Sequence, residues 1–167
     1  MLSLRTTVIV EPWYWQFYLK RGAAEWASDK VSAEGYDTRL EVIDGFIFVG
    51  VNMYGNPTEV TFEVHDTQPS DIIPAADHVV EVSVAGDGPI GVYNWDQPSP
   101  PVALINIDTP PGPLRLRASW TCIAAAQAHP DRAGTSDVLS PERLLFQVWA
   151  EPVRPKALLR VRVADHP

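Results

Sequence analysis

Residues 38–51 read TRLEVIDGFIFVGV. Two runs of strand-forming residues, TRLEVI (38–43) and FIFVGV (46–51), meet across Asp44-Gly45. Asp-Gly suits a two-residue hairpin turn, because such a turn needs positive φ and these residues tolerate it. Working outward, similar runs recur: TEVTFEVH (58–65), HVVEVSVA (78–85), GPIGVYNW (88–95), VALINI (102–107), LRLRASW (114–120), LLFQVWA (144–150) and ALLRVRV (157–163). Prolines and glycines separate them, and Gly86-Asp87-Gly88 and Pro110-Pro111-Gly112-Pro113 read as turns. Strands this short and numerous predict an all-β fold, an antiparallel β-sandwich, with a flattened barrel as the alternative. Helix is expected only as short turns: AAEWASDKV within 22–35, and Ser140-Pro141-Glu142-Arg143, where serine caps and proline sits first. The rest of 124–143 reads as a loop. No repeat or linker divides the chain, so residues 1–167 are expected to form one β-sandwich domain.

Upstream of the hairpin lies EPWYWQFYLKR, residues 11–21. Read as a strand, 13–20 has two faces, because side chains alternate across the pleat. Trp13, Trp15, Phe17 and Leu19 form an apolar face; Tyr14, Gln16, Tyr18 and Lys20 form an amphipathic one. Burying the first face removes ~6–10 kcal/mol worth of apolar surface from water, at roughly 1.5–3 kcal/mol per large side chain. Trp13, Trp15 and Phe17 are therefore expected in the core, with Tyr14 and Tyr18 as candidate partner contacts.

The net charge is −8, and it is unevenly spread. Between Arg39 and Arg115 there is no lysine or arginine, while eleven carboxylates fall in that interval. From Pro113 onward there are eight basic and five acidic residues. Direct nucleic-acid binding requires the opposite sign over a coherent patch, so a basic protein partner fits better. Alternation points Val60, Phe62 and Val64 inward and Glu59 and Glu63 outward; Glu81 and Glu41 point outward by the same rule. If their strands share a sheet, Glu41, Glu59, Glu63 and Glu81 form an acidic row, with Tyr14 and Tyr18 as anchors beside it. Arg115, Arg117 and Ser119 also point outward. Whether they lie opposite the acidic strands or beside them is open at this level.

Signatures of catalysis are absent from the sequence. There is no G-x-S-x-G elbow, no glycine-rich phosphate loop opening a helix, and no H-x-H, H-E-x-x-H or C-x-x-C. Asp66, Asp71 and Asp77 lack calcium-loop spacing, so the loop carrying them reads as a solvated connection. No cofactor or metal is expected. Cys122, the one cysteine, excludes an intrachain disulfide and reads as a buried, inert thiol. No segment approaches the ~20 apolar residues of a membrane helix, and the N-terminus lacks a secretory pattern. A cytoplasmic location is the expectation. A carbohydrate- or small-ligand-binding sandwich is the second reading, with Trp26, Trp95 and Trp149 as the tryptophans left for stacking. A carboxylate- or metal-dependent enzyme is the third. A free strand edge could support a homodimer.

The order of elements carries a resemblance. WYWQFYL is followed by EGYDTRLEVIDGFIFV, then HVVEVSVAGDGPIGVYNW, then INIDTPPGPLRLRASWTC. The segment INIDTPPGPLRLRASW, a strand, a Pro/Gly turn and an alternating strand ending in an aromatic, is the most telling. Over roughly residues 12 to 122 the chain resembles the bacterial competence-associated nuclease inhibitors, the ComJ-like family. That resemblance implies a non-catalytic protein that binds and silences a nuclease, an immunity-like role. The charge reading leads to the same expectation, since a nuclease cleft is basic and ordered carboxylates imitate a row of phosphates.

Overall fold

A computed structural model describes residues 1–94, 101–134 and 137–161. Its strands are β1 (Leu2–Val10), β2 (Gln16–Arg21), β3 (Leu40–Ile43), β4 (Phe46–Gly50), β5 (Thr58–His65), β6 (His78–Val84), β7 (Ile90–Tyr93), β8 (Ile105–Ile107), β9 (Leu114–Thr121), β10 (Arg143–Ala150) and β11 (Ala157–Arg160). Two short helices, α1 (Ala33–Thr38) and α2 (Ile123–Gln127), and one 3-10 turn (Ser28–Lys30) complete the inventory.

The strands form two open sheets, of order β1-β5-β10-β9-β6-β11 and β3-β4-β2-β7-β8. Neither closes on itself, so the architecture is a sandwich and not a barrel. β3 contacts β6, Trp120 Nε1 on β9 donates to the Gly50 carbonyl of β4 at 2.9 Å, and Phe17 of β2 meets Phe146 of β10 edge-on at 6.4 Å. These contacts fix the stacking: β3 lies over β6, β4 over β9 and β2 over β10, which leaves β8 on the β1 side. Between the sheets sit the inward residues that alternation selects, among them Leu19, Leu40, Val60, Phe62, Val80, Val82, Leu116, Ala118, Leu144 and Phe146.

Every strand pair is antiparallel except one: β10 runs parallel to β5, Phe146 opposite Phe62. Parallel neighbours need a long connection, and here residues 66–142, with four strands among them, lie between the two. The Asp44-Gly45 turn forms as read, with φ of 47° and 83°. Helix falls elsewhere than expected. Residues 28–30 make only a 3-10 turn, and the α-helix follows at Ala33–Thr38, capped by Ser32 Oγ accepting from Gly35 N. Residues 140–143 are not helical. Ser140 N donates to the Pro57 carbonyl, and its Oγ accepts from Glu142 N. α2 opens the 124–143 stretch instead, its Ile123 N–H donating to Asp77 Oδ2 at 2.9 Å. Cys122, at φ 61° where β9 turns into α2, is exposed and not buried.

The stretch at 13–20 is a strand only from Gln16. Tyr14 and Trp15 form a tight turn at φ 53° and 59°, so Trp13 and Trp15 are half-buried at the sandwich end while Phe17 and Leu19 enter the core. A second apolar layer explains the fate of Tyr18. The 22–39 segment roofs the outer face of the five-stranded sheet, and Tyr18, Ala27, Phe46 and Phe48 are buried there beside Trp26 and Tyr93.

Candidate functional site

The outer face of the six-stranded sheet carries a polar ladder. Strand register places Arg5 beside Glu63, Glu63 beside Gln147, Gln147 beside Arg117, and Arg117 beside Glu81. Glu81 receives Arg117 Nε at 2.8 Å and Arg115 Nε at 3.3 Å. Glu63 receives Gln147 Nε2 at 3.0 Å, pairs with Arg5 at 3.2 Å, and lies 3.0 Å from His65 Nε2. Residues 66–77 pass over this face: Arg117 Nη1 donates to the Pro69 and Asp71 carbonyls, each at 3.2 Å, and Arg160 holds the carbonyls of Pro74 and Ala76. The Arg117 guanidinium lies 5.4 Å from the centroid of the buried Trp149 ring. Hence Glu63 and Glu81 are only 8% and 6% exposed, with cations beside them.

The other two members of the expected row lie apart. Glu59 is half-buried, with Arg143 Nε 3.8 Å away. Glu41 belongs to β3 of the opposite sheet and accepts from Ser32 N at 2.7 Å. The four carboxylates therefore form no single row. Glu41 is on the other sheet, and within the six-stranded sheet Gln147 and Arg117 stand between Glu63 and Glu81. Tyr18 is 1% exposed, its hydroxyl accepting from Gln16 Nε2 at 2.7 Å, so it is a packing residue and not a surface anchor. Tyr14 is 54% exposed. Trp26 packs edge-on against Tyr18 at 5.0 Å and Phe46 at 5.4 Å, so neither it nor Trp149 offers a free stacking platform; Trp95 lies outside the described residues.

The two ends of the sandwich differ in what they expose, and exposed carboxylates also lie elsewhere, among them Glu11, Asp29, Glu34, Asp66, Asp71 and Asp131. At one end, Tyr14 and Trp15 hold the left-handed backbone, which costs a non-glycine residue about 1–2 kcal/mol. Tyr54 braces the turn, its ring 5.5, 5.6 and 5.2 Å from those of Trp13, Tyr14 and Trp15. Gln16 N donates to the Trp13 carbonyl at 3.2 Å to close it.

The opposite end, six residues of β2 or ~20 Å away, brings several carboxylate-bearing turns together. Arg21, at the end of β2, is buried and donates to the Val84 and Pro110 carbonyls at 3.0 Å each. Burial pulls its guanidinium below the ordinary range, and the Asp87 carboxylate offsets part of that. Several turns meet around it. Arg21 N donates to the Gly45 carbonyl, and Gly22 N to the Pro89 carbonyl, both at 2.9 Å. Thr109 Oγ1 donates to the Gly88 carbonyl at 2.9 Å, and Gly112 N to Asp87 Oδ1 at 2.6 Å. These turns carry Glu25, Asp44, Asp87 and Asp108, all exposed. Among the described residues none of the four is in an ion pair. Glu25 and Asp44 share a groove of about 350 Å³ with Lys30. The sequence held a signal for this. Asp44 and Asp87 adjoin glycines in turns, and a carboxylate there has no cross-strand neighbour to neutralise it, whereas one in a strand meets whatever the adjacent strand presents.

No family model matches the chain, and no curated protein matches it in sequence. As a class, the molecule is an all-β, two-sheet sandwich with a polar outer ladder, a group of turn carboxylates at one end and an aromatic turn at the other. Solved structures sharpen that description. ComJ from Bacillus subtilis, an inhibitor of the DNA degrading activity of NucA, has the same fold at a TM-score of 0.61 and 12% identity, over 90% of this chain and 98% of that one. The protein of crocagin biosynthetic gene J matches at 0.60 and 13%, over 89% and 98%. The resemblance read from the sequence thus holds at the level of fold, and it extends well beyond residues 12–122. Among the described residues no three histidine, cysteine or carboxylate side chains gather as a metal site, and no helix is long and apolar enough to cross a membrane.

Proposed function

We propose that this protein is a non-catalytic binding protein of the nuclease-inhibitor type, and that its acidic end engages a basic surface on its partner. One observation carries the reading. Glu25, Asp44, Asp87 and Asp108 sit exposed on turns joined through Arg21, while Glu59, Glu63 and Glu81 of the six-stranded sheet have cations beside them within the molecule. Exposed charge that is mostly negative, held on backbone that its own hydrogen bonds fix, is suited to steering and matching an oppositely charged cleft. The fold shared with an inhibitor of a DNA-degrading activity supports the partner class. A cytoplasmic location is part of the proposal, in keeping with the single unpaired cysteine.

Titration against a basic DNA-degrading nuclease from the same host tests it. Binding should remove the nuclease activity and weaken by well over tenfold from low to high ionic strength. Binding that ignores salt, or nuclease activity unaffected at saturation, contradicts the proposal.

A further inference from the structure

Among the described residues the six-stranded sheet ends on one side at β1, which pairs there only with β5. β1 is the longest strand of the fold and has few of the usual defences of a free edge. It holds no proline, glycine or lysine; its one charge is Arg5, and its one irregularity lies between Leu2 and Leu4. Leu2, Leu4 and Ile9 are 45%, 38% and 47% exposed, and Leu104, leading into β8 on the same side of the sandwich, is 45% exposed. Leu4 lies on the inward face, opposite Val64, so its exposure means that the core is open at the start of this edge, while Val8 and Val10 further along are packed against it.

We infer that β1 is a self-association edge, at which the β1 strands of two copies pair antiparallel about a two-fold axis and join their sheets into one. The occupant is a second copy because β1 is complementary to itself. With the axis at Thr6, Leu4 faces Val8 of the second copy, and Arg5 faces Thr7 of the second copy. Residues of equal parity then meet, so inward side chains continue the core face and outward ones the polar face. Charge favours the same choice. Molecules of net charge −8 repel one another, and β1 is free of carboxylates; the register sets its cation against a neutral threonine, so no like charges oppose. Length is adequate too. Nine residues extend ~30 Å at about 3.4 Å each, about the width of a standard interface of ~800 Å² per partner. The pairing is isologous and closed, which limits it to a dimer. It does not depend on the acidic end, and either reading can fail alone.

Sedimentation equilibrium on the full chain tests it, over about 1–200 µM, which brackets a micromolar dissociation constant. The expected mass at the upper end is twice 18.5 kDa. Ile9→Lys, on the outward face where a lysine stays solvated, should weaken the dimer at least tenfold with the circular dichroism spectrum unchanged, and Leu4→Lys should do the same from the inward face. Leu159→Lys, on the opposite edge strand β11, should leave the dimer intact. A wild-type monomer throughout that range overturns the inference, as does a dimer that survives Ile9→Lys or dissociates with Leu159→Lys.

Discussion

Glu81 shares its carboxylate between two guanidinium groups, Arg115 and Arg117, all three nearly sealed from water. Removing the acid strands two buried cations, and breaking such an arrangement is strongly destabilising. Glu81→Gln should therefore lower the unfolding free energy by about 3–5 kcal/mol, and Glu81→Lys should prevent folding. Glu59→Gln, whose partner Arg143 is 3.8 Å away at a half-exposed site, should change it by less than about 1 kcal/mol. Urea unfolding of the variants separates the two cases. Glu142 presents a different problem. Fully buried, it accepts from Asn52 N at 2.8 Å and Asn52 Nδ2 at 2.6 Å. Burial raises its pKa to about 7, with Asn52 and Arg39 opposing the rise and Asp77 adding to it. An acid with a raised folded pKa binds protons more tightly folded than unfolded, so stability falls as pH rises from the ordinary carboxylate range near 4.5 to about 7. The loss amounts to about 3 kcal/mol at most. His78, whose pKa burial lowers, acts in the opposite sense, losing stability as pH falls through the ordinary histidine range. Thermal melts of Glu142→Gln and wild type, compared between pH 5 and 8, isolate the glutamate. The variant, with the Asn52 amide flipped to match, should gain relative to wild type as pH rises.

The β3–β4 hairpin and the turn before β2 share a left-handed backbone but differ in what occupies it. Gly45 takes φ 83° without a Cβ, and an added one would lie 3.1 Å from Ala24 Cβ. Gly45→Ala should cost about 1–2 kcal/mol. Tyr14→Gly should change stability by less than about 1 kcal/mol, because relief of its φ offsets the lost ring contact with Tyr54. Equilibrium unfolding of both variants checks the contrast. The same pair of turns shows how far the sequence could be read. Asp44-Gly45 announced itself because a small chemical repertoire suits that backbone. Trp13-Tyr14-Trp15-Gln16 looked like strand because aromatic residues belong in strands, and the turn is sustained by tertiary contacts, Tyr54 packing against three rings and Val51 N donating to the Trp15 carbonyl. β5, β9 and β10 were legible from alternation. β1 was not: at an edge both faces see water, and Thr6-Thr7 interrupts the pattern. Tyr18 was misassigned because alternation assumes one wet face, while the 22–39 segment supplies a second roof.

At the scale of the molecule, total charge could be read from the sequence and its distribution could not. Inward and outward were assigned correctly for Glu59, Glu63 and Glu81, but outward proved not to mean exposed. β9 brings Arg115 and Arg117 beside β6, and residues 66–77 cover the face they share. Strand order made that difference, and a single sequence carries little information on strand order. Among the carboxylates that remain exposed, Glu25, Asp44, Asp87 and Asp108 lie on turns that meet around Arg21 at one end, about 20 Å from the aromatic turn at the other. The central claim is that this acidic end binds a basic nuclease. Combining Glu25→Lys, Asp44→Asn and Asp108→Lys tests it while sparing Asp87, which supports Arg21 and Gly112, and respecting the positive φ at position 44. Measured as the inhibition constant against the host's basic nuclease at low salt, the combined variant should be weaker by at least tenfold with an unchanged melting temperature. An inhibition constant equal to that of the wild type would contradict the account.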